Sequence, residues 1–267
     1  MEEATAWQIV FYRGLFQALA VSAWLLHRHR GQVWQAFRSI GETGVVGALG
    51  LGIAYCGMIV AFNLTSVGTV VFVLGATPLV TGFLAWWLLR ERVRPVTWAA
   101  MALALLGVLV MTFGGYGTDH LLGVFAAIVA VFGSAVFMVA LRKGRSVDML
   151  PTVALAGFVA ALLSAPWIES LVLPPRDLVL CGYLGGVALA IGLALFTAGS
   201  RELSAVELPL IALTESLLAP VWVWAFLGET ISAATLMGGV LVLGAVVLQG
   251  TLGNGAAAPT IDEVGRE

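Results

Sequence analysis

The sequence predicts an all-α integral membrane protein: nine transmembrane helices in two inverted-topology halves of four and five helices. Three observations carry that expectation. Hydrophobic residues make up 60% of the 267-residue chain and charged residues 10%, with a mean hydropathy of +1.02. A soluble domain carries about 25% charged residues, so the solvent of this chain is largely lipid. The apolar residues fall in continuous runs near the ~20 residues of a spanning helix, not in the alternation of a membrane barrel. The second part of the chain also repeats the first.

The runs cover about 7–26, 43–62, 67–89, 95–113, 121–141, 151–168, 178–198, 206–227 and 232–251. Their backbone groups must pair within each segment because lipid offers no partners, which favours helices. Short connections make sequence neighbours antiparallel. The first run is too long for a cleaved signal, and MEEATA ahead of it is acidic. Val33, Trp34, Phe37 and Ile40 suggest a short interfacial helix between the first two spans. Within the third run, Gly75, Pro78 and Gly82 predict an interrupted helix. Cys56 and Cys181 lie far apart in apolar runs and read as reduced, buried thiols.

Basic residues set the orientation. Arg28, Arg30, Arg38, Arg90, Arg92, Arg94, Arg142, Lys143, Arg145 and Arg201 all fall in alternate connections, and the opposite set holds only Arg176. The first set is therefore cytoplasmic, with Met1 outside and the tail inside, in the plasma or inner membrane.

A shift of 138 positions aligns residues 47–110 with 185–248 without a gap, pairing Gly47 with Gly185, Trp86 with Trp224 and Glu91 with Glu229. A five-residue adjustment pairs the first run with the sixth: Val10 with Val153, Gly14 with Gly157, Ala18 with Ala161 and Trp24 with Trp167. Corresponding runs are five apart, an odd number, so the halves insert in opposite senses, a design of secondary transporters. Run 121–141 has no counterpart, which leaves the first helix of the first repeat missing.

The doubled PLVTGFLAWWLLRE (78–91) and ESLLAPVWVWAFLGE (215–229), each followed by an apolar helix, together with FYRGL (11–15), resemble the EamA family of the drug/metabolite transporter superfamily. The resemblance covers nearly the whole chain except the tail. It implies a ten-helix transporter fold of two five-helix halves, here lacking its first helix, and the movement of small metabolites. The expected organisation is a first half over residues 1–117, a second half over 118–252 and a disordered cytoplasmic tail over 253–267.

Glu215 lies about ten residues into its run, roughly 15 Å deep and near the bilayer centre. A charge there costs on the order of 2.5–3.5 kcal/mol on insertion scales. Glu215 must therefore face the bundle interior and protonate or find a donor. It either lines a substrate or proton pathway or joins helices as a hydrogen-bonded carboxyl. Pro209 and Pro220 bracket it, and Thr77 and Pro78 occupy the corresponding region of the other half. Arg13 is the one basic residue inside a span. It either snorkels to the outer surface or, with Gln17 one turn away, holds an anionic group or pairs with Glu215. Tyr55 and Tyr183 add polar groups within spans.

The function expected is a secondary-active exporter of small metabolites or drug-like compounds, working by alternating access of the two repeats. The alternative is a non-transporting, shortened membrane protein that acts by assembling with partners. Enzyme chemistry is not expected. G-x4-G-K-[ST] is absent, the three histidines fall between spans, and no catalytic set shares one depth. The expected partners are a small-molecule substrate and the lipid bilayer, with no cofactor, no metal and no nucleic acid. The sequence leaves a homodimer open.

Overall fold

A computed structural model describes residues 5–29, 33–89, 95–114, 118–202, 222, 233–248 and 251–252. All regular structure among the described residues is helical. Helix α1 spans Ala6–His29, α2 Val33–Ser39, α3 Gly41–Leu64, α4 Val67–Leu74, α5 Thr77–Leu89, α6 Pro95–Gly114, α7 Thr118–Lys143, α8 Leu150–Ser164, α9 Pro175–Gly182, α10 Ala190–Glu202 and α11 Ala233–Leu248. A π-helical stretch, Tyr183–Leu189, joins α9 to α10 without a break. Six helical stretches among the described residues are long and apolar enough to cross a membrane.

Local chemistry sets the boundaries. Helix α1 opens on a capping box: the Thr5 N–H donates to Gln8 Oε1 at 2.8 Å, and the Gln8 N–H donates to Thr5 Oγ1 at 3.3 Å. The expected interfacial helix is α2, with Trp34 75% exposed and Ala36 and Ile40 buried. It turns into α3 at Gly41, whose φ of 56° lies where a side chain is unfavourable. The Ser66 hydroxyl caps α4 by accepting from the Thr69 N–H at 3.2 Å.

The interruption expected in the third run lies at Gly75–Ala76, between α4 and α5. Pro78 has no N–H with which to bond the Leu74 carbonyl four residues back. The Thr77 hydroxyl donates to that carbonyl instead, at 2.6 Å. The break is therefore satisfied internally, as lipid requires.

Small residues let the helices approach closely. Helices α3 and α7 form the most extensive seam, with Gly50 against Gly133 and Gly57 against Ala126. A Cβ on Gly14 of α1 would lie 2.7 Å from the Gly157 carbonyl of α8, and one on Gly157 would lie 2.5 Å from the Gly14 carbonyl. Gly107 of α6 meets Gly238 of α11 in the same way. Helix α3 also packs on α8, and α1 packs on α9, the π stretch and α10. The outer face of that last span is unlike the others. Only 17% of the apolar part of Pro175–Gly199 is buried, against 50% for Gly41–Leu64.

Candidate functional site

Three of the sequence-predicted residues come together where α1 and α3 meet α8. Arg13 and Gln17 sit one turn apart on α1, and Tyr55 lies on α3. All three are buried: Arg13 is 9% exposed, Gln17 0% and Tyr55 6%. The Arg13 side chain turns inward. Its guanidinium carbon lies 5.0 Å from the centre of the Tyr55 ring, a cation–π arrangement, rather than at the outer surface. The backbone holds this geometry tightly. Gly185, in the π-helical stretch, packs against the Arg13 carbonyl so closely that no Cβ would fit. π-Helical turns recur at functional sites, and this one braces the α1 segment carrying Arg13.

Among the described residues the hydrogen bonding of the cluster is incomplete. Gln17 Nε2 donates to the Val153 carbonyl of α8 at 2.9 Å. Gln17 Oε1, the Tyr55 hydroxyl, and Nε and Nη2 of Arg13 have no partner among the described residues. Nor does the hydroxyl of Thr152, a fully buried residue of α8. Buried polar atoms are normally satisfied, and each exception calls for a physical reason. A membrane-embedded cation stacked on an aromatic ring, with free donors and acceptors beside it, is chemically equipped to bind a polar solute.

The other predicted residues lie elsewhere. Thr77 and Pro78 sit at the start of α5, where the Thr77 hydroxyl is engaged by Leu74. Tyr183, at the start of the π stretch, is 59% exposed and stands outside the cluster. Glu215, with Pro209 and Pro220, lies outside the described residues.

Sequence reasoning used Arg28 and Arg145 only to orient the chain. In the structure both line a cavity of about 490 Å³ at the end of the bundle where α1 finishes and α8 begins, together with Asp148 and Thr197. Arg28 Nη1 lies 3.9 Å from Asp148 Oδ2, a loose pair with Arg28 60% exposed. The sequence clue was the closeness of Asp148 to Arg145 just ahead of a helix start. The Asp148 carboxylate also accepts from the Leu150 N–H at 3.1 Å. Among the described residues, no cluster of His, Cys, Asp and Glu has the makings of a metal site, and Cys56 and Cys181 are free thiols.

Comparison with known proteins bears on the same chain. Residues 1–113 and 121–251 match the EamA-like transporter family. The chain is similar to the uncharacterized transporter YwfM of Bacillus subtilis (strain 168), at 28% identity over 190 residues. That match takes in 68% of this chain and 64% of YwfM, so the chain spans somewhat under two thirds of that relative's length. It also shares its fold with a protein of known crystal structure, with a TM-score of 0.67, 21% identity, and coverage of 94% of this chain and 89% of the other.

Proposed function

Because this chain belongs to the EamA-like transporter family and is a multi-pass membrane protein, we propose that it is a secondary-active transporter that exports small metabolites or drug-like compounds. The single observation that carries the reading is the buried, under-satisfied Arg13–Gln17–Tyr55 cluster. An intramembrane ionisable group is costly and belongs on a solute path.

The proposed mechanism is alternating access by two inverted repeats, residues 1–117 and 118–252, with residues 253–267 as a cytoplasmic tail. Packing supports it. An in-plane twofold axis would bring Gly14 and Gly157, which correspond in the two halves, against each other. It would also pair the approach of Gly14 to Ala161 with that of Gly157 to Ala18, and these atoms lie within 3.4 Å and 3.0 Å of the respective Cβ positions. The same axis would exchange the α3–α8 contact with the contact of α1 on α9, the π stretch and α10, and both occur.

In this scheme Glu215 is the proton-sensitive or cation-binding group and Arg13, Gln17 and Tyr55 hold the solute. Thr77 and Pro78, in the half that corresponds to that of Glu215, line the pathway, as does Tyr183. The membrane is the plasma or inner membrane, with Met1 outside and the tail in the cytoplasm. The partners are the solute and the bilayer.

The low burial of Pro175–Gly199, 17% of its apolar part, gives a second reading some weight. By symmetry its exposed face corresponds to the side of α3 that α7 covers. In that reading the chain uses this face to assemble with another membrane helix, a second copy included, without transporting.

The test is solute efflux from cells or proteoliposomes carrying the wild-type chain or Glu215→Gln at several pH values. The transporter reading expects saturable flux whose pH profile flattens in the variant. Flux equal to protein-free controls would leave the assembly reading. Unchanged rates and profile in Glu215→Gln would remove that residue from the mechanism.

A further inference from the structure

A guanidinium presents its donors along distinct edges. Nε and Nη2 lie along one, with parallel N–H bonds spaced to meet the two oxygens of a carboxylate or phosphate. In Arg13 it is these two atoms that are buried and have no partner among the described residues. The face of the group is already stacked on Tyr55, so the free edge is the part left to bind. The Tyr55 hydroxyl, which lies beside the Gln17 side chain, adds a donor, and Gln17 Oε1 adds an acceptor for a neighbouring N–H or O–H. Apolar side chains, among them Val10, Leu51 and Val153, surround the cluster.

We propose that the solute bound at this centre carries a carboxylate, its two oxygens gripped by Nε and Nη2 of Arg13 and its neighbouring polar group met by Tyr55 and Gln17. The proposal rests on the transporter reading of the same cluster and names its substrate class. Among the described residues of the cluster Arg13 is the one positive charge and its partners are neutral, which suits a monoanion better than a phosphate dianion, a group that calls for more than one cation. A second, separate feature points the same way. The cavity of about 490 Å³ at the end of the bundle is lined, among the described residues, by two cations, Arg28 and Arg145, and one carboxylate, Asp148. Its excess of positive charge raises the local concentration of anions.

The experiment is titration of the purified full chain with benzoate, its neutral isostere benzamide, inorganic phosphate and laurate, followed by tryptophan fluorescence and the thermal unfolding midpoint. Benzoate is expected to bind at least about ten-fold tighter than benzamide, as a charge-assisted pair of hydrogen bonds implies, and phosphate more weakly than benzoate. Arg13→Lys, which keeps the charge and loses the fork, should weaken benzoate by about ten-fold while leaving benzamide unchanged. Binding of laurate without benzoate would also support carboxylate recognition and would place its source in the bilayer.

Equal binding of benzoate and benzamide, tighter binding of phosphate than of either carboxylate, or an Arg13→Lys protein that binds benzoate normally would each overturn the proposal. If Arg13→Lys does not fold, the wild-type comparison of benzoate with benzamide still decides. Failure of all carboxylates while proteoliposomes still move neutral or cationic solutes removes this substrate class alone. Failure of flux as well removes the transporter reading with it.

Discussion

The crossing of α1 and α8 at Gly14 and Gly157 can be tested by a double-mutant cycle. Gly14→Ala puts a Cβ 2.7 Å from the Gly157 carbonyl, and Gly157→Ala puts one 2.5 Å from the Gly14 carbonyl, where 3.4 Å is ordinary contact. The helices must part by about 0.7 Å in the first variant and about 0.9 Å in the second. A radial gap of that size forfeits roughly a quarter to a half of the dispersion energy along the seam, and overpacking of this kind costs about 1–3 kcal/mol. Replacing glycine with alanine in a helix returns at most about 1 kcal/mol. Each single variant should therefore lose about 1–2 kcal/mol of unfolding free energy in mixed micelles.

One separation relieves both clashes, so the double variant should cost little more than the worse single one. That leaves a coupling of about 1–2 kcal/mol between the two positions. Trp7 and Trp167 stack at 5.7 Å between the same two segments, and their fluorescence should report the parting directly. Neutral single variants, or strictly additive losses with unchanged tryptophan emission, would refute the close crossing.

Two further outcomes follow from the helix ends. Thr77→Val should cost about 1–3 kcal/mol by leaving the Leu74 carbonyl unpaired; in a Pro78→Ala background, where a backbone N–H can reach that carbonyl, the same change should be nearly neutral, read by unfolding of the four proteins. Gly41→Ala meets no steric obstacle, since nothing lies within 4 Å of the added carbon. It should still lose about 1 kcal/mol from the positive φ alone, and Gly41→Asn should lose less.

What the sequence made legible was local. Among the described residues, span limits followed from hydropathy, the α4–α5 break from Gly75 and Pro78, and α2 from the spacing of Val33, Trp34, Phe37 and Ile40; the run 206–227, apart from Trp222, lies outside the described residues. The turn of each helix about its own axis was not legible. In lipid both faces of a spanning helix are apolar, so periodicity does not mark the inner one. Tyr55 and Tyr183 therefore looked alike in sequence, yet one is 6% exposed and the other 59%. The inward placement of Arg13 rests on contacts distant in sequence, with Tyr55 on α3 and Gly185 in the π stretch. The π stretch itself had no sequence signal beyond its glycines. Glu215, the acidic residue deep within an apolar run, lies outside the described residues.

The central claim is that the polar centre faces each side of the membrane in turn. Gln17 is 0% exposed and sits at that centre. The measurement is modification of Gln17→Cys, in a chain with Cys56 and Cys181 replaced, by a membrane-impermeant thiol reagent applied to right-side-out and to inverted vesicles. Alternating access predicts labelling from both sides, at rates that shift in opposite directions when a bound solute favours one state. A cysteine that reacts from neither side, or from one side only under every condition, would contradict the account.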